Sequence, residues 1–485
     1  MDEQALRGVA WTFLAYGIDR VVGLATTVVL ARLLEPHDFG LIAIGLMTIS
    51  FVNLFGGLGL GAAMIVRQEL DRRGLGCVLT ILLATGAATT ALMAALAPGL
   101  AALFGEPRLT GILLALTPVV AISGLNWFYT MLVQRELAFR TRFITVGAQV
   151  VVNSSVAIPL AVAGAGVWSL VAGIIAGTFT YGAALLILAP FRVRPTWDSR
   201  LATDLVHSSG GFLLQGVTSF VQLNADYIIV GRVLGATRLG YYSTAYRVGQ
   251  LPEQAIADPV SKVTFPSFAR MRQRGEEVVP AFLSGMRFVA LVACPVGVVL
   301  SGAADPFVRV LLGDKWLPAI GPVAVFGIWA AVRVVEFTIG WFLNSVGLAG
   351  AAGRISLILL GGHLPALFLA AKFGDITAVA WVMLGYIVVF LFAVSIVAAR
   401  RGGASLRAQR RALQPVVLAS IVAWIVARAL AATVSLSAPP LLAVSVVGGV
   451  VAYGLVVWLL DPALPRTTVR TLARAFRRVP AEAGS

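Results

Sequence analysis

Residues 28–41 read VVLARLLEPHDFGL, and residues 228–241 read IIVGRVLGATRLGY. At this offset of 200 positions, Gly40 aligns with Gly240, and the arginines at 32 and 232 and the leucines at 34 and 234 also coincide. The remaining positions are mostly apolar in both segments. This similarity indicates that the first part of the chain is repeated in the second.

A second pair of segments supports the repeat. Residues 98–106 read PGLAALFGE, and residues 306–314 read PFVRVLLGD, at an offset of 208. Each follows the third helix of a predicted six-helix unit. Because an even number of helices returns the chain to its starting side, the two units are expected to share one orientation, related by a pseudo-twofold axis along the membrane normal. Parallel repeats of this kind are one plan of secondary transporters.

The composition places the chain in a membrane. Of its 485 residues, 59% are hydrophobic and 12% are charged, whereas about a quarter of the residues of a soluble protein are charged. A spanning helix needs about 20 mostly apolar residues. We predict about fourteen such helices, at 8–31, 40–66, 77–103, 109–133, 143–163, 166–190, 206–231, 239–268, 279–303, 317–344, 354–372, 376–399, 413–433 and 439–460.

The loop charges predict the orientation. With the N-terminus inside the cell, the cytoplasmic loops carry roughly three times as many Lys and Arg residues as the opposite loops, as membrane insertion favours. Both termini are therefore expected in the cytoplasm, and the first apolar run is expected to be an uncleaved helix. The net charge of +15 is explained by this topology, which argues against a nucleic-acid partner and for the lipid bilayer.

These patterns predict four parts of the chain. Residues 1–195 would form an N-terminal six-helix bundle and residues 196–402 a C-terminal one. Residues 403–462 would add two helices outside the repeat. Residues 463–485 would form a basic cytoplasmic tail, either solvated or lying as an amphipathic helix on an anionic leaflet.

Several charges fall inside the predicted helices, where a charge costs roughly 2.5–3.5 kcal/mol and usually faces a partner or a wet cavity. The candidates for a substrate pathway are Asp19, Arg20, Asp226, Arg247, Lys262 and Arg333. Neighbours on a helix do not face each other, so Asp19 and Arg20 cannot satisfy one another, whereas Arg333 and Glu336 could pair locally. The alternative is that these groups form structural ion pairs between helices.

The chain lacks the sequence patterns of the common catalytic and metal sites. It contains no P-loop, no Cys/His metal spacing and no G-x-S-x-G elbow. Its two cysteines lie in or beside apolar runs. No loop is long enough for the catalytic groups of a sugar polymerase or ligase. We therefore expect no cofactor, no metal and no enzymatic activity.

Four segments suggest a family. Residues 31–40, 57–63, 258–266 and 313–318 read ARLLEPHDFG, GLGLGAA, DPVSKVTFP and GDKWLP. In this order they resemble bacterial polysaccharide transporters of the Wzx type, which belong to the multidrug/oligosaccharidyl-lipid/polysaccharide exporter superfamily. The final two helices resemble the extra pair of the lipid II flippases.

The resemblance implies two parallel six-helix bundles around a central cavity with alternating access. It implies a monomeric flippase in the bacterial inner membrane that moves an undecaprenyl-pyrophosphate-linked oligosaccharide for exopolysaccharide, capsule or lipopolysaccharide O-antigen synthesis. A polymerase and a chain-length regulator of the same pathway would be its partners. Arg20 and Arg247 would meet the pyrophosphate. The alternative is a multidrug or small-molecule exporter of the same superfamily.

Overall fold

The computed structural model describes residues 22–57, 72–135, 139–189, 192–257, 260, 268, 271–272 and 274–462, leaving out the side chains of 72, 134–135, 139 and 205–215. Within these residues the chain is helical and has no strand. The helices are α1 Val22–Leu33, α2 Pro36–Gly57, α3 Arg72–Phe104, α4 Arg108–Arg135, α5 Phe139–Val162, α6 Val167–Leu188, α7 Ser199–Val233, α8 Ala236–Gly249, α9 Val278–Gly302, α10 Ile320–Ser345, α11 Ala349–Phe373, α12 Ile376–Arg401, α13 Leu406–Thr433 and α14 Ala438–Leu460.

Eleven of the described helical segments are long and apolar enough to cross a membrane. They coincide with eleven of the predicted apolar runs. The other three runs are 8–31, 206–231 and 239–268. Most of the first lies outside the described residues, and the second is the 35-residue helix α7. The count of fourteen therefore stays a prediction, while the all-helical membrane architecture is confirmed.

The predicted eighth helix is interrupted. Helix α8 ends at Gly249, and a π-helix follows at Glu253–Ala257. This run is the weakest of the set because it contains four charged residues, Arg247, Glu253, Asp258 and Lys262. A π-helical turn widens the backbone and re-aims its side chains, and such turns are frequent at functional sites.

Short polar residues begin several helices. The Asp198 carboxylate accepts hydrogen bonds from the backbone N–H groups of Arg200 and Leu201 at the start of α7. The Asp375 carboxylate does the same at the start of α12. These caps satisfy backbone donors that have no partner within the helix, so the helix starts are fixed by local sequence.

The chain forms two compact units, Met1–Gly240 and Tyr241–Ser485. In the first, α3 packs on α4, α5 packs on α6, and α2 contacts α3, α4 and α7. In the second, α9 packs on α10 and α13, α10 on α12, and α11 on α12. Units defined by packing need not coincide with sequence repeats, so the predicted four-part division stays a prediction.

The repeated segment has the same burial pattern in both copies. Leu30 and Val230 are buried, whereas Arg32 and Arg232 are exposed. The pattern continues through the loop into the first turns of α2 and α8, where the aligned residues are buried or accessible at nearly the same positions. This match supports the repeat that the sequence indicates.

Within the first unit, the first turns of α2 and α8 touch reciprocally. A Cβ atom added to Gly40 would overlap the backbone carbonyl of Ala236, and one added to Gly240 would overlap the carbonyl of Pro36. Pro36 and Ala236 are related by the same offset of 200 as the two glycines. The two backbones approach this closely only because both positions lack a side chain.

The last two helices pack on α9 in the second unit. Their contact surface is made of small side chains, including Ala423, Ala427 and Gly449. A Cβ atom at Gly449 would lie 2.9 Å from the Val299 side chain of α9. The Tyr453 hydroxyl of α14 also donates to the Leu291 carbonyl at 2.9 Å. Small residues and single hydrogen bonds are what hold helices together in lipid.

Candidate functional site

Three ionisable side chains form a cluster among the described residues of the second unit. Arg333 lies near the middle of α10, roughly 20 Å along the helix from either end. Its Nε donates to Glu253 Oε2 at 3.0 Å, and its Nη1 donates to Glu336 Oε2 at 2.5 Å. We call Glu253, Arg333 and Glu336 the ionic cluster.

The ionic cluster is built from two structural elements, the helix α10 and the π-helix that follows α8. Glu336 follows Arg333 by three residues, so both lie on one face of α10. Glu253 begins the π-helix that follows α8. The side chains are 23% exposed for Arg333, 14% for Glu253 and 7% for Glu336, so the ion pairs are largely shielded from the surroundings.

The ionic cluster has an unbalanced formal charge, because one guanidinium faces two carboxylates. The Arg333 guanidinium carbon also lies 5.4 Å from the centre of the Phe337 ring, in a cation–π contact. Two of the three guanidinium nitrogens, Nε and Nη1, donate to carboxylates. For Arg333 to bind a phosphate through these nitrogens, at least one glutamate would have to release it.

Polar groups of α11 and α12 form a second feature of the same unit. The imidazole of His363, a buried residue, lies 4.3 Å from the Tyr386 ring, centre to centre. The hydroxyl groups of Tyr386 and Ser356 are 3.1 Å apart and share a hydrogen bond. The sequence places these residues within apolar helices, where such contacts are usually links between helices.

The structure places the predicted pathway residues as follows. Asp226 is in α7 of the first unit and is 1% exposed. Arg247 is in the last turn of α8 and is partly buried. Asp19, Arg20 and Lys262 lie outside the described residues.

The structure confirms that Arg333 and Glu336 pair locally. It also brings Glu253, which is not among the predicted pathway residues, to the same guanidinium. The available signal was a carboxylate inside an apolar run that also carries Arg247, because such a charge requires a partner. Whether Asp226, Arg247 or Arg333 lines a pathway stays a prediction.

Within the described part of the chain, no three His, Cys, Asp or Glu side chains are grouped so that they could hold a metal ion. Cys77 and Cys294 are both buried thiols. The ionic cluster combines one cation with two anions beside the Phe337 ring, an arrangement suited to ion pairing.

Solved structures identify the class of fold. The chain is similar to the lipid II flippase MurJ in an inward closed conformation, with a TM-score of 0.74 at 13% identity, over 93% of this chain and 98% of that one. It is also similar to a multidrug resistance MATE family transporter in an inward-facing conformation, with a TM-score of 0.58 at 13% identity, over 82% of this chain and 95% of that one. The fold is that of the MurJ- and MATE-like helical membrane transporters.

The sequence comparison narrows the class to a family. The model of the family described as "Polysaccharide biosynthesis protein" matches residues 29–321, more than half of the chain. The chain belongs to this family, the Wzx-type polysaccharide flippases.

Three of the similar relatives come from different bacteria. The chain is 25% identical to the succinoglycan biosynthesis transport protein ExoT of Rhizobium meliloti, over 66% of this chain and 65% of that protein. It is 25% identical to the teichuronic acid biosynthesis protein TuaB of Bacillus subtilis, over 79% of this chain and 80% of that protein. It is 22% identical to the lipopolysaccharide biosynthesis protein WzxC of Escherichia coli, over 80% of this chain and 79% of that protein. The match thus spans just under two thirds of ExoT and about four fifths of the other two.

Proposed function

We propose that the chain is a flippase that moves a polyprenyl-pyrophosphate-linked oligosaccharide across the bacterial inner membrane by alternating access, for the synthesis of a surface polysaccharide. Undecaprenyl pyrophosphate is the proposed carrier. The observation that carries the proposal is the match of most of the chain to TuaB and WzxC, which are named for teichuronic acid and lipopolysaccharide biosynthesis. The MurJ-like fold supports it, because MurJ is named as a lipid II flippase.

The proposed topology follows from the loop charges. Both termini face the cytoplasm, and the substrate enters from that side. Alternating access requires two states that bind the substrate with different affinity. The chain would act as a monomer beside the polymerase and the chain-length regulator that use its product.

Arginines are the proposed contacts for the pyrophosphate, because a guanidinium donates two parallel hydrogen bonds to phosphate oxygens. Arg20 and Arg247 are the first candidates. Arg333 would contribute when the carboxylates of the ionic cluster release it. Lys262, Asp19 and Asp226 complete the proposed pathway lining.

A complementation experiment tests the proposal. Deleting the gene in the native host should abolish the surface polysaccharide and trap its lipid-linked unit on the cytoplasmic side. A plasmid encoding the Arg247→Gln variant should restore polysaccharide poorly, at least about tenfold below the intact chain, because it removes a charged contact with the pyrophosphate.

Arg238→Gln is the matched control, since Arg238 lies on the same helix and is exposed. It should restore polysaccharide fully when membrane levels are equal. Normal polysaccharide in a clean deletion that lacks a paralogous gene would disprove the proposed function.

A multidrug or small-molecule exporter is the second candidate, favoured by the fold similarity to MATE transporters. It predicts that the deletion sensitises cells to cationic drugs while leaving the polysaccharide intact. The flippase predicts the opposite pair of results. Neither candidate requires catalysis, and we propose transport without an enzymatic step.

A further inference from the structure

Helix α13 has two distinct faces. One face is buried against neighbouring helices and carries Val416, Ala419 and Ala423. The opposite face is exposed along its whole length. In chain order, the exposed face carries Arg407, Arg410, Arg411, Gln414, Val417, Leu418, Ile421, Ile425 and Arg428.

The exposed face changes character along the helix. Its first two turns are cationic, and the turns that follow are apolar as far as Arg428, with Val417 50%, Ile421 51% and Ile425 52% exposed. At a rise of 1.5 Å per residue, the step from Arg411 to Arg428 is about 25 Å. That length is close to the roughly 30 Å hydrocarbon core of a bilayer. The face therefore has the polarity profile of a spanning helix whose first turns carry the larger cationic group.

The charge at the start of this face is not balanced nearby in the chain. Five exposed arginines surround the α12–α13 turn, at positions 400, 401, 407, 410 and 411. The sequence has no acidic residue between Asp375 and Asp461. The local sequence therefore cannot neutralise this group.

The turn that carries the arginines is firmly built. Gln409 is 4% exposed, and its side-chain amide donates to the Ala404 carbonyl at 2.7 Å and to the Ser395 carbonyl at 3.2 Å. The Ser405 hydroxyl accepts a hydrogen bond from the Ala408 N–H and caps α13. Because the backbone is held in this way, the arginines start from defined positions.

We infer that the exposed face of α13 binds an anionic phospholipid. Its phosphate would contact Arg407, Arg410 and Arg411, and its acyl chains would lie along the apolar turns that follow. An arginine near an anionic headgroup contributes about fivefold to affinity. This inference rests on the membrane placement of the chain and is independent of the transported substrate.

The test uses the full-length purified chain in detergent, titrated with dioleoylphosphatidylglycerol. The midpoint of thermal unfolding should rise with this lipid and stay unchanged with dioleoylphosphatidylcholine, which has the same acyl chains without the net charge. In the triple variant R407Q/R410Q/R411Q, half-maximal stabilisation should require about 100-fold more phosphatidylglycerol. The variant R407K/R410K/R411K should retain most of the effect because it keeps the charges.

The matched control is R192Q/R194Q/R200Q, which removes three exposed arginines of the first unit, two from the non-helical stretch before α7 and one from its first turn. It should respond to phosphatidylglycerol like the intact chain. Inorganic phosphate should give no stabilisation, since it lacks the acyl chains. Equal stabilisation by the two lipids, equal loss in the control variant, or full stabilisation by phosphate would each overturn the inference. The lipid titration and the polysaccharide assay can fail separately, so the two proposals are distinguishable.

Discussion

Arg333 is held by two carboxylates within a membrane helix, and this pairing decides what a substitution there does. Removing one partner of a largely buried ion pair leaves uncompensated charge, and such changes cost several kcal/mol. Here two negative groups would be left together. The ionic cluster should therefore respond more strongly to loss of its cation than to loss of either anion.

We expect Arg333→Gln to destabilise the purified chain by about 3 kcal/mol, measured as a lower midpoint of thermal unfolding. Adding Glu253→Gln should partly restore the midpoint, because it removes one of the two uncompensated charges. Arg309→Gln is the control, since its pair with Asp305 is 3.1 Å long but 42% exposed at the arginine, and it should cost below about 1 kcal/mol. A double variant no more stable than Arg333→Gln would contradict the charge argument.

The sequence predicts one of the two ion pairs in the ionic cluster. The pairing of Arg333 with Glu336 follows from a spacing of three on one helix. Glu253 lies 80 positions away from Arg333, and it reaches the guanidinium from a π-helix. No local pattern predicts either the distant contact or the change in helix type, so this part required the tertiary structure.

At the scale of elements, the reciprocal contact between α2 and α8 is the clearest structural consequence of the repeat. Gly40 meets the backbone carbonyl of Ala236, and Gly240 meets that of Pro36. Pro36 and Ala236 are aligned in the repeat, as the two glycines are. A methyl group at either glycine would force two helix backbones apart. The two substitutions are expected to have similar effects because the positions are related by the repeat.

Gly40→Ala and Gly240→Ala should each destabilise the chain by about 2 kcal/mol, the usual range for overpacking. Gly99→Ala in α3 is the control, because a Cβ atom there meets nothing within 4 Å. It should stabilise by up to about 1 kcal/mol, since alanine is the better helix former. The readout is the unfolding midpoint in detergent, and a neutral Gly40→Ala would show that the backbones are not in close contact.

The sequence predicts most of the individual helices, because apolar runs of sufficient length are unambiguous in composition. It does not predict their packing. Helices α13 and α14 fall outside the repeat, and nothing in their pattern points to α9 as their neighbour. The structure supplies the reason, since Gly449 and Ala427 leave room for close approach and Tyr453 bonds to the α9 backbone.

At the scale of the whole molecule, the proposed direction of transport depends on the orientation of the chain in the membrane. Two exposed positions on either side of α13 test it, Arg401 at the end of α12 and Ser435 in the α13–α14 turn. Cys77 and Cys294 are buried, so both can be replaced by alanine to give a background for single cysteines.

In that background, we expect a membrane-impermeant maleimide to label Ser435→Cys in cells whose outer membrane has been made permeable. Arg401→Cys should be labelled only after the inner membrane is opened, because arginine-rich turns stay in the cytoplasm. The fraction of labelled chain is measured by a mass shift on a gel. The reverse pattern would invert the proposed topology and the direction of transport.

The reciprocal glycine contact also has a symmetry that oligomeric interfaces share. In an isologous dimer, residue i of one subunit contacts residue j of the other, and j contacts i in return. The two glycine contacts have this form. When 200 is subtracted from the numbers of the second copy, Gly40 with Ala236 and Gly240 with Pro36 both become a contact of position 40 with position 36. The contact therefore has the form of an isologous interface made within one chain, in which the two copies of the repeat offer each other the same pair of positions.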